Sequence, residues 1–273
     1  MKRALNQVTV PYLSFEAFLD LAADLGCMGV EARNDLGDLG RPLFDGMAPE
    51  RAGAMIRDRG LRLVGLSQVY PFNSWDAARR AQVADLIAAA GAAGAETISL
   101  IPRNDGTGGA NGERQANLRI ALKEIHPMLV AAGMVALVEP LGFTRSSLRA
   151  KDELVETIVD LGIADHVKIV HDIFHHALAG GGALYPGHTG ILHVSAVVDP
   201  ALELDEMEDA HRVLVGEDDR LGNVEQVAAL MAGGYDGPIS YECFSPETQR
   251  LADPKAEIGR AFDFIETQIR AEV

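Results

Sequence analysis

Four short apolar runs of this chain each end at, or close to, a side chain that can bind a metal ion. The runs MVALVEP, VKIVHDIFHH, GILHVSAVVD and PISYECFSP are typical of β-strands, and segments with helical periodicity separate them. The four side chains are Glu139, Asp172, His193 and Glu242. Strands from distant parts of a chain bring such residues together only when they lie side by side and run in the same direction. A parallel barrel meets this condition, because all its strands end on one face.

The alternation of strands and helices runs along the whole sequence. LNQVTV, MGVEAR, LRLVGLSQV and ETISLIP predict four earlier strands, which brings the count to about eight βα units. Eight units in 273 residues match one closed barrel, typically about 250 residues long. The strands are apolar along their length, as expected where helices cover a parallel sheet. We therefore expect an α/β fold, a (β/α)8 TIM barrel, with residues 1–273 forming a single domain.

Several helix boundaries are marked by capping residues. Ser14 precedes FEAFLDLAADLG and predicts an N-cap, and Asn223 does so before VEQVAALMAGG. Pro254 is suited to the first turn of the last helix. Two longer helices are expected from about residue 74 to 93 and from about 113 to 132.

The charge balance bears on partners and location. The chain has 40 acidic and 24 basic residues, a net charge of −16, which disfavours binding to a nucleic-acid backbone. No apolar run approaches the roughly 20 residues that cross a bilayer, and the N-terminal segment lacks the apolar stretch of a secretory signal. Cys27 and Cys243 lie in apolar segments and are expected to be reduced thiols. We expect a cytoplasmic protein without nucleic-acid or membrane partners.

Three carboxylates and one imidazole form a mixed set of oxygen and nitrogen ligands. Such a set suits one divalent ion of Mn, Zn, Co or Mg. The alternative is that these residues are unrelated polar groups of solvent-exposed loops.

A divalent ion can bind adjacent carbonyl and hydroxyl oxygens of a sugar-like substrate and lower the cost of forming an enediolate. The reaction also needs a base and an acid, and Glu139 and Glu242 come from opposite sides of the expected site. His175 and Arg212 are candidates for contacting substrate oxygens. The alternatives are a surface position for His175 and a salt bridge of Arg212 with its acidic surroundings. His171 is expected to face away from Asp172, because successive residues of a strand point to opposite sides.

Seven segments, in order along nearly the whole chain, resemble the xylose isomerase-like barrel superfamily of sugar isomerases and epimerases: GVEAR, FNSWD, VEPLGF, HDIFHHALAGG, LHVSAVVD, HRVLVGEDD and ISYECFSPE. Within it, the chain looks most similar to the 2-keto-myo-inositol isomerase-like branch of inositol catabolism. The resemblance implies a metal bound by Glu139, Asp172, His193 and Glu242, with the two glutamates as proton carriers. It also implies that His175 and Arg212 contact a sugar or cyclitol.

The sequence departs from this family after Arg212. Relatives often carry RxxPGxG, whereas this chain has RVLVGED, without the proline and the second glycine. The departure leaves the geometry of the Arg212 loop open, but it does not affect the four expected ligands.

Other functions fit the same scaffold. An inosose dehydratase would keep the ligands and expel a hydroxyl group, and a non-catalytic sugar-binding protein would keep the fold. Abasic-site endonucleases use additional histidines after early strands, and the third strand here, 65–69, has none. Homo-oligomerisation is left open.

Overall fold

A computed structural model describes residues 1–272 as a closed ring of eight parallel β-strands. The strands are β1 Arg3–Asn6, β2 Gly29–Arg33, β3 Arg62–Val69, β4 Thr97–Leu100, β5 Val135–Val138, β6 Val167–Asp172, β7 Thr189–Val194 and β8 Ile239–Tyr241. Each strand pairs with the next in sequence, and β8 pairs with β1. The prediction of a (β/α)8 barrel is confirmed.

Helices cover the outside of the ring. They are α1 Phe15–Asp24, α2 Pro49–Asp58, α3 Ala77–Ala93, α4 Glu113–Ala132, α5 Lys151–Leu161, α6 Ile173–Leu178, α7 Asn223–Ala232 and α8 Pro254–Glu272. No helix within residues 1–272 is both long enough and apolar enough to span a membrane. Cys27 and Cys243 are buried and free, as predicted.

The barrel interior has an apolar layer below a polar one. A small buried cluster, separate from the large core, contains Ala4, Val64, Leu137, Val170 and Ile191. Leu137, Val170 and Ile191 each lie two residues before one of the expected ligands, so they share a side of their strands with it. The expected ligands therefore lie next to this apolar cluster, on its side nearer the carboxyl end of the barrel.

Most of the cap predictions are confirmed. The Ser14 hydroxyl accepts the backbone N–H of Ala17 at 3.2 Å, and α8 begins at Pro254. Helix α3 begins at Ala77, later than expected, because the Asp76 carboxylate caps its first turn.

The prediction of Asn223 as an N-cap is wrong. Asn223 is the first residue of α7, and the N-cap position belongs to Gly222. The carboxylate of Asp219 accepts the backbone N–H of Asn223 at 2.7 Å, which supplies the acceptor that the cap residue lacks.

The first strand is also shorter than LNQVTV predicts. It ends at Asn6, whose side-chain oxygen accepts the backbone N–H of Val8 at 3.1 Å and starts a 3-10 turn over residues 7–9. This turn leaves the Asn6 amide group inside the carboxyl end of the barrel.

Helices α2 and α3 approach each other closely at Gly53. A Cβ atom at this position would overlap the backbone carbonyl oxygen of Ala93, so the contact requires a glycine.

Candidate metal and substrate site

The four expected ligands meet at the carboxyl end of neighbouring strands. Glu139 follows β5, Asp172 ends β6, His193 lies near the end of β7, and Glu242 follows β8. One potential ligand atom from each lies within 4.8 Å of the others. All four residues are buried, with 3 to 5 % of their surface exposed. The alternative of unrelated loop residues is therefore wrong.

Hydrogen bonds fix the orientation of the His193 ring. Its Nε2 lies 3.1 and 3.2 Å from the two carboxylate oxygens of Glu31, and the Ser240 hydroxyl donates to the same carboxylate at 2.6 Å. Nδ1 faces the carboxylates of Glu242 and Asp172 at 3.2 and 3.8 Å, but no contact within residues 1–272 gives it a hydrogen bond of good geometry. A carboxylate that accepts from one ring nitrogen directs the other towards a metal.

The charges around His193 favour a cation at this position. Burial lowers the pKa of His193, but the carboxylates of Glu31 and Glu242 outweigh this effect and raise the pKa well above its ordinary value. A metal ion at Nδ1 would replace the proton that these carboxylates stabilise.

Glu242 is surrounded by donors. Its Oε1 accepts from Arg33 Nη1 at 2.8 Å and from Asn6 Nδ2 at 3.2 Å, and its Oε2 accepts from Arg212 Nη2 at 3.1 Å. Burial raises its pKa, but the neighbouring His193, Arg212 and Arg33 together hold the pKa well below the usual value. Glu242 is therefore an ionised and tightly held carboxylate.

Glu139 lies in a different environment. No residue within 1–272 donates a hydrogen bond to its carboxylate, and the Nε2 atom of His175, whose pKa burial lowers, lies 3.7 Å from Oε1. Burial, followed by the charges of Glu242 and Asp172, raises the pKa of Glu139 well above its usual value. The two glutamates therefore differ strongly in proton affinity.

Arg212 makes four hydrogen bonds to protein groups, which leaves one of its five N–H donors, on Nη1, for another partner. Its Nη2 lies 2.5 Å from Asp172 Oδ2, its Nε donates to Ser195 Oγ at 2.9 Å, and its Nη1 donates to Asp209 at 3.2 Å. The guanidinium group packs between the rings of Phe174 and Phe244, at 5.0 and 4.8 Å. The expected salt bridge with the acidic segment is thus present through Asp209, together with contacts to two of the four ligands.

His175 is buried, with 4 % exposed, so the alternative of a surface histidine is wrong. Its backbone N–H donates to Asp172 Oδ1 at 2.9 Å and holds this carboxylate in place. Its ring lines a cavity of about 230 Å³ together with Glu139, His193, Arg212 and Glu242.

His171 lies on the opposite side of β6, as predicted. Lys151 Nζ donates to its Nδ1 at 2.7 Å, and its Nε2 donates to the side-chain oxygen of Gln226 at 3.0 Å. Burial lowers the pKa of Lys151 to about 7 and that of His171 to about 3. The ring of His176 packs against His171, with centroids 4.9 Å apart. These groups form a polar layer between the barrel and its helices.

Two residues of β2 play parts that sequence reasoning did not assign. Glu31 orients His193 and Arg33 donates to Glu242, and neither residue was among the expected ligands or substrate contacts. The spacing of two within GVEAR was the available signal, since it places Glu31 and Arg33 on one side of a strand. Phe72 and Trp75, the two aromatic residues of FNSWD, do not line the site: Phe72 is buried in the core and Trp75 packs against it.

The residues present fit a single divalent cation. Three carboxylates and an imidazole are the ligands that Mn, Zn, Co and Mg accept, and metal–ligand distances of about 2.0–2.2 Å need only a small contraction of the group. The buried, unpartnered Nδ1 of His193 supplies an atom that requires such a partner.

Comparison with known proteins agrees with this fold. The family described as xylose isomerase-like TIM barrel matches residues 19–268, and the chain belongs to this family. A xylose isomerase domain-containing protein from Salmonella typhimurium LT2 is 28 % identical, with a TM-score of 0.88 and coverage of 98 % of this chain and 97 % of the other. No curated protein sequence matches the chain significantly.

Two further structures share the fold at lower identity. The IolI protein, solved with a bound zinc atom, is 16 % identical, with a TM-score of 0.85 and coverage of 100 % of this chain and 99 % of the other. D-psicose 3-epimerase from Clostridium cellulolyticum H10, solved with D-tagatose, is 15 % identical, with a TM-score of 0.74 and coverage of 98 % and 99 %.

Proposed function

We propose that this protein is a divalent-metal-dependent isomerase or epimerase that moves a proton between adjacent carbons of a keto-cyclitol or keto sugar. The observation that carries the proposal is the buried group Glu139, Asp172, His193 and Glu242, of which Glu139, His193 and Glu242 line the cavity of about 230 Å³. Family membership supports it, as do the zinc atom of the IolI protein and the sugar bound to the epimerase.

The bound cation would supply Lewis-acid polarisation of a carbonyl and its neighbouring hydroxyl group. Of the four expected ligands, Asp172 and His193 would only bind the metal and would not carry protons. Their hydrogen bonds to His175 and Glu31 hold them in position.

The two glutamates would accept and return the proton. Glu139 accepts no hydrogen bond from a residue within 1–272, so its carboxylate is free to exchange a proton with the substrate. Glu242 faces it from β8, and Arg33 and Arg212 keep its carboxylate ionised and fixed. His175, close to Glu139, and Arg212 would contact substrate oxygens at the cavity wall.

The charges favour an uncharged, hydroxyl-rich substrate. Arg33 donates from Nε and Nη2 to Asp35 at 2.8 and 2.7 Å and from Nη1 to Glu242, and Arg212 is similarly engaged. Both guanidinium charges are thus paired with carboxylates, and neither is left uncompensated for a phosphate or carboxylate of a substrate.

The test uses Glu139→Gln and Glu242→Gln in the metal-loaded protein. Each substitution keeps the size and one oxygen ligand but removes the base. We expect each variant to lose at least about a hundredfold in turnover of an inosose or ketohexose, with a parallel loss of deuterium incorporation from solvent. Glu50→Gln, on exposed helix α2, is the matched control and should behave like the parent protein.

Elemental analysis must accompany these assays, so that loss of metal is separated from loss of the base. The proposal is wrong if the double variant stays metal-loaded and still isomerises and exchanges at near the parent rate. Product analysis separates the reaction classes, since a product lacking one water molecule would indicate a dehydratase.

A further inference from the structure

A second, open groove continues from the mouth of the metal-site cavity. It has a volume of about 580 Å³ and lies over the ends of β2 and β3 and the side of α3. Asp35, Gln68 and Tyr70 line both the groove and the cavity, so the two spaces adjoin along these residues. The cavity alone, at about 230 Å³, is smaller than the roughly 300–1,000 Å³ of common small-molecule sites. Together with the groove it falls within that range.

The groove has an apolar floor and polar sides. Leu43, Leu86 and Ala89 form the apolar part. The side chains of Gln82 and Asp85 stand beside it on α3, and no hydrogen bond or ion pair within residues 1–272 engages the Asp85 carboxylate. Amides offer both donors and acceptors, and a carboxylate offers acceptors, which is the combination that neighbouring hydroxyl groups require.

Tyr70 stands at the junction of the two spaces. Its side chain is 43 % exposed, and its hydroxyl oxygen accepts the backbone N–H of Asn104 at 3.3 Å, which fixes the ring. An exposed aromatic ring offers an apolar face to the C–H groups of a sugar ring, while its hydroxyl group stays polar.

The groove also lacks positive charge. Of the residues that line it in the described part of the chain, none is a lysine or arginine, whereas Asp35 and Asp85 are acidic. Because Asp35 is paired with Arg33, a phosphate or carboxylate group would chiefly meet the charge of Asp85, and no cationic side chain of the lining would offset that repulsion. The occupant that suits this lining is therefore a neutral ring with many hydroxyl groups.

We propose that the groove is a subsite for a second sugar or cyclitol ring, joined to the ring that reacts in the cavity. The inference rests on the proposed function and narrows its substrate class from free monosaccharides to glycosides. Asp35, Gln68 and Tyr70 would lie at the linkage between the two rings.

The experiment measures binding and needs no turnover. Calorimetry and saturation-transfer NMR with the metal-loaded protein compare cellobiose, maltose, lactose and galactinol with glucose, galactose and myo-inositol. We expect at least one disaccharide to bind about tenfold more tightly than its separate rings, with saturation transferred to both rings.

Two variants on α3 test whether the tighter binding of the disaccharide depends on the groove. Ala89→Trp fills the groove and should abolish the advantage of the disaccharide while single rings bind as before. Ala88→Trp adds the same side chain at an exposed neighbouring position outside the groove and should change nothing. The proposal is overturned if no disaccharide binds more tightly than its components, or if the advantage persists in Ala89→Trp.

Failure of the subsite and failure of the proposed function give different results. Deuterium exchange into single-ring substrates without any disaccharide preference would refute the subsite alone. A groove-dependent preference without proton exchange on any ligand would refute the isomerase proposal and leave the subsite standing.

Discussion

Replacing Lys151 with methionine should change how the stability of the protein depends on pH. Lys151 is buried in the layer behind β6, and its ammonium group donates to His171 at 2.7 Å. Burial lowers its pKa from 10.5 to about 7. Because the unfolded chain binds the proton more tightly than the folded protein does, the free energy of unfolding rises with pH between about 7 and 10.5.

The pKa difference gives the size of the effect. At 1.36 kcal/mol for each pKa unit, the stronger proton binding of Lys151 in the unfolded chain lowers the free energy of unfolding by about 4 kcal/mol at pH 7 and by about 2 kcal/mol at pH 9. The parent protein should therefore gain about 2 kcal/mol over this interval that Lys151→Met does not. Methionine also leaves His171 Nδ1 without its donor, a loss of about 1–3 kcal/mol that is the same at both pH values because His171 stays neutral.

Urea denaturation of the metal-free parent and variant at pH 7 and pH 9 measures this difference. Lys123→Met, on the exposed side of α4, is the matched control and should follow the parent at both pH values. Equal pH dependence of the parent protein and Lys151→Met would show that burial does not lower the pKa of Lys151. That result would refute the reasoning.

Two further substitutions test contacts of the site and the fold. Glu31→Gln removes the charge that orients His193 and should weaken binding of Mn or Zn about 10- to 100-fold in a competition titration with a chelator; unchanged affinity would mean that the ring holds its orientation without Glu31. Gly53→Ala places a methyl group against the Ala93 carbonyl oxygen and should lower the free energy of unfolding by about 1–3 kcal/mol. Gly91→Ala, where no atom lies within 4 Å of the added Cβ, should be neutral or stabilise by up to about 1 kcal/mol, and equal results for the two glycines would contradict the close packing of α2 and α3.

Residue spacing along the strands and the positions of the strand ends were enough to predict where the four expected ligands lie. Two-residue periodicity placed Asp172 inside the barrel and His171 outside it, and strand ends predicted that Glu139 and Glu242 would approach each other. These predictions needed only the direction and order of the strands.

The supporting contacts could not be found in this way. Glu31 and His193 are 162 positions apart, and Arg33 and Glu242 are 209 apart. Each pairing depends on side-chain length and on the register of strands across the barrel, and neither leaves a local pattern. The aromatic residues that line the cavity, Tyr70, Phe143 and Phe244, were missed for a similar reason, because no local periodicity distinguishes them from Phe72, which is buried in the core.

The pairing of β8 with β1, which closes the barrel, determines the stage of folding at which the site forms. Asn6 reaches Glu242 across 236 positions, and Glu31 is held by Ser240 across 209. Contacts of such sequence separation form slowly, because a long loop must close before they stabilise anything. Glu139 and Asp172 are synthesised well before Glu242, so the set of four expected ligands is complete only when β8 docks. Acquisition of metal affinity during refolding should therefore report the last step of barrel closure, later than the appearance of helical structure.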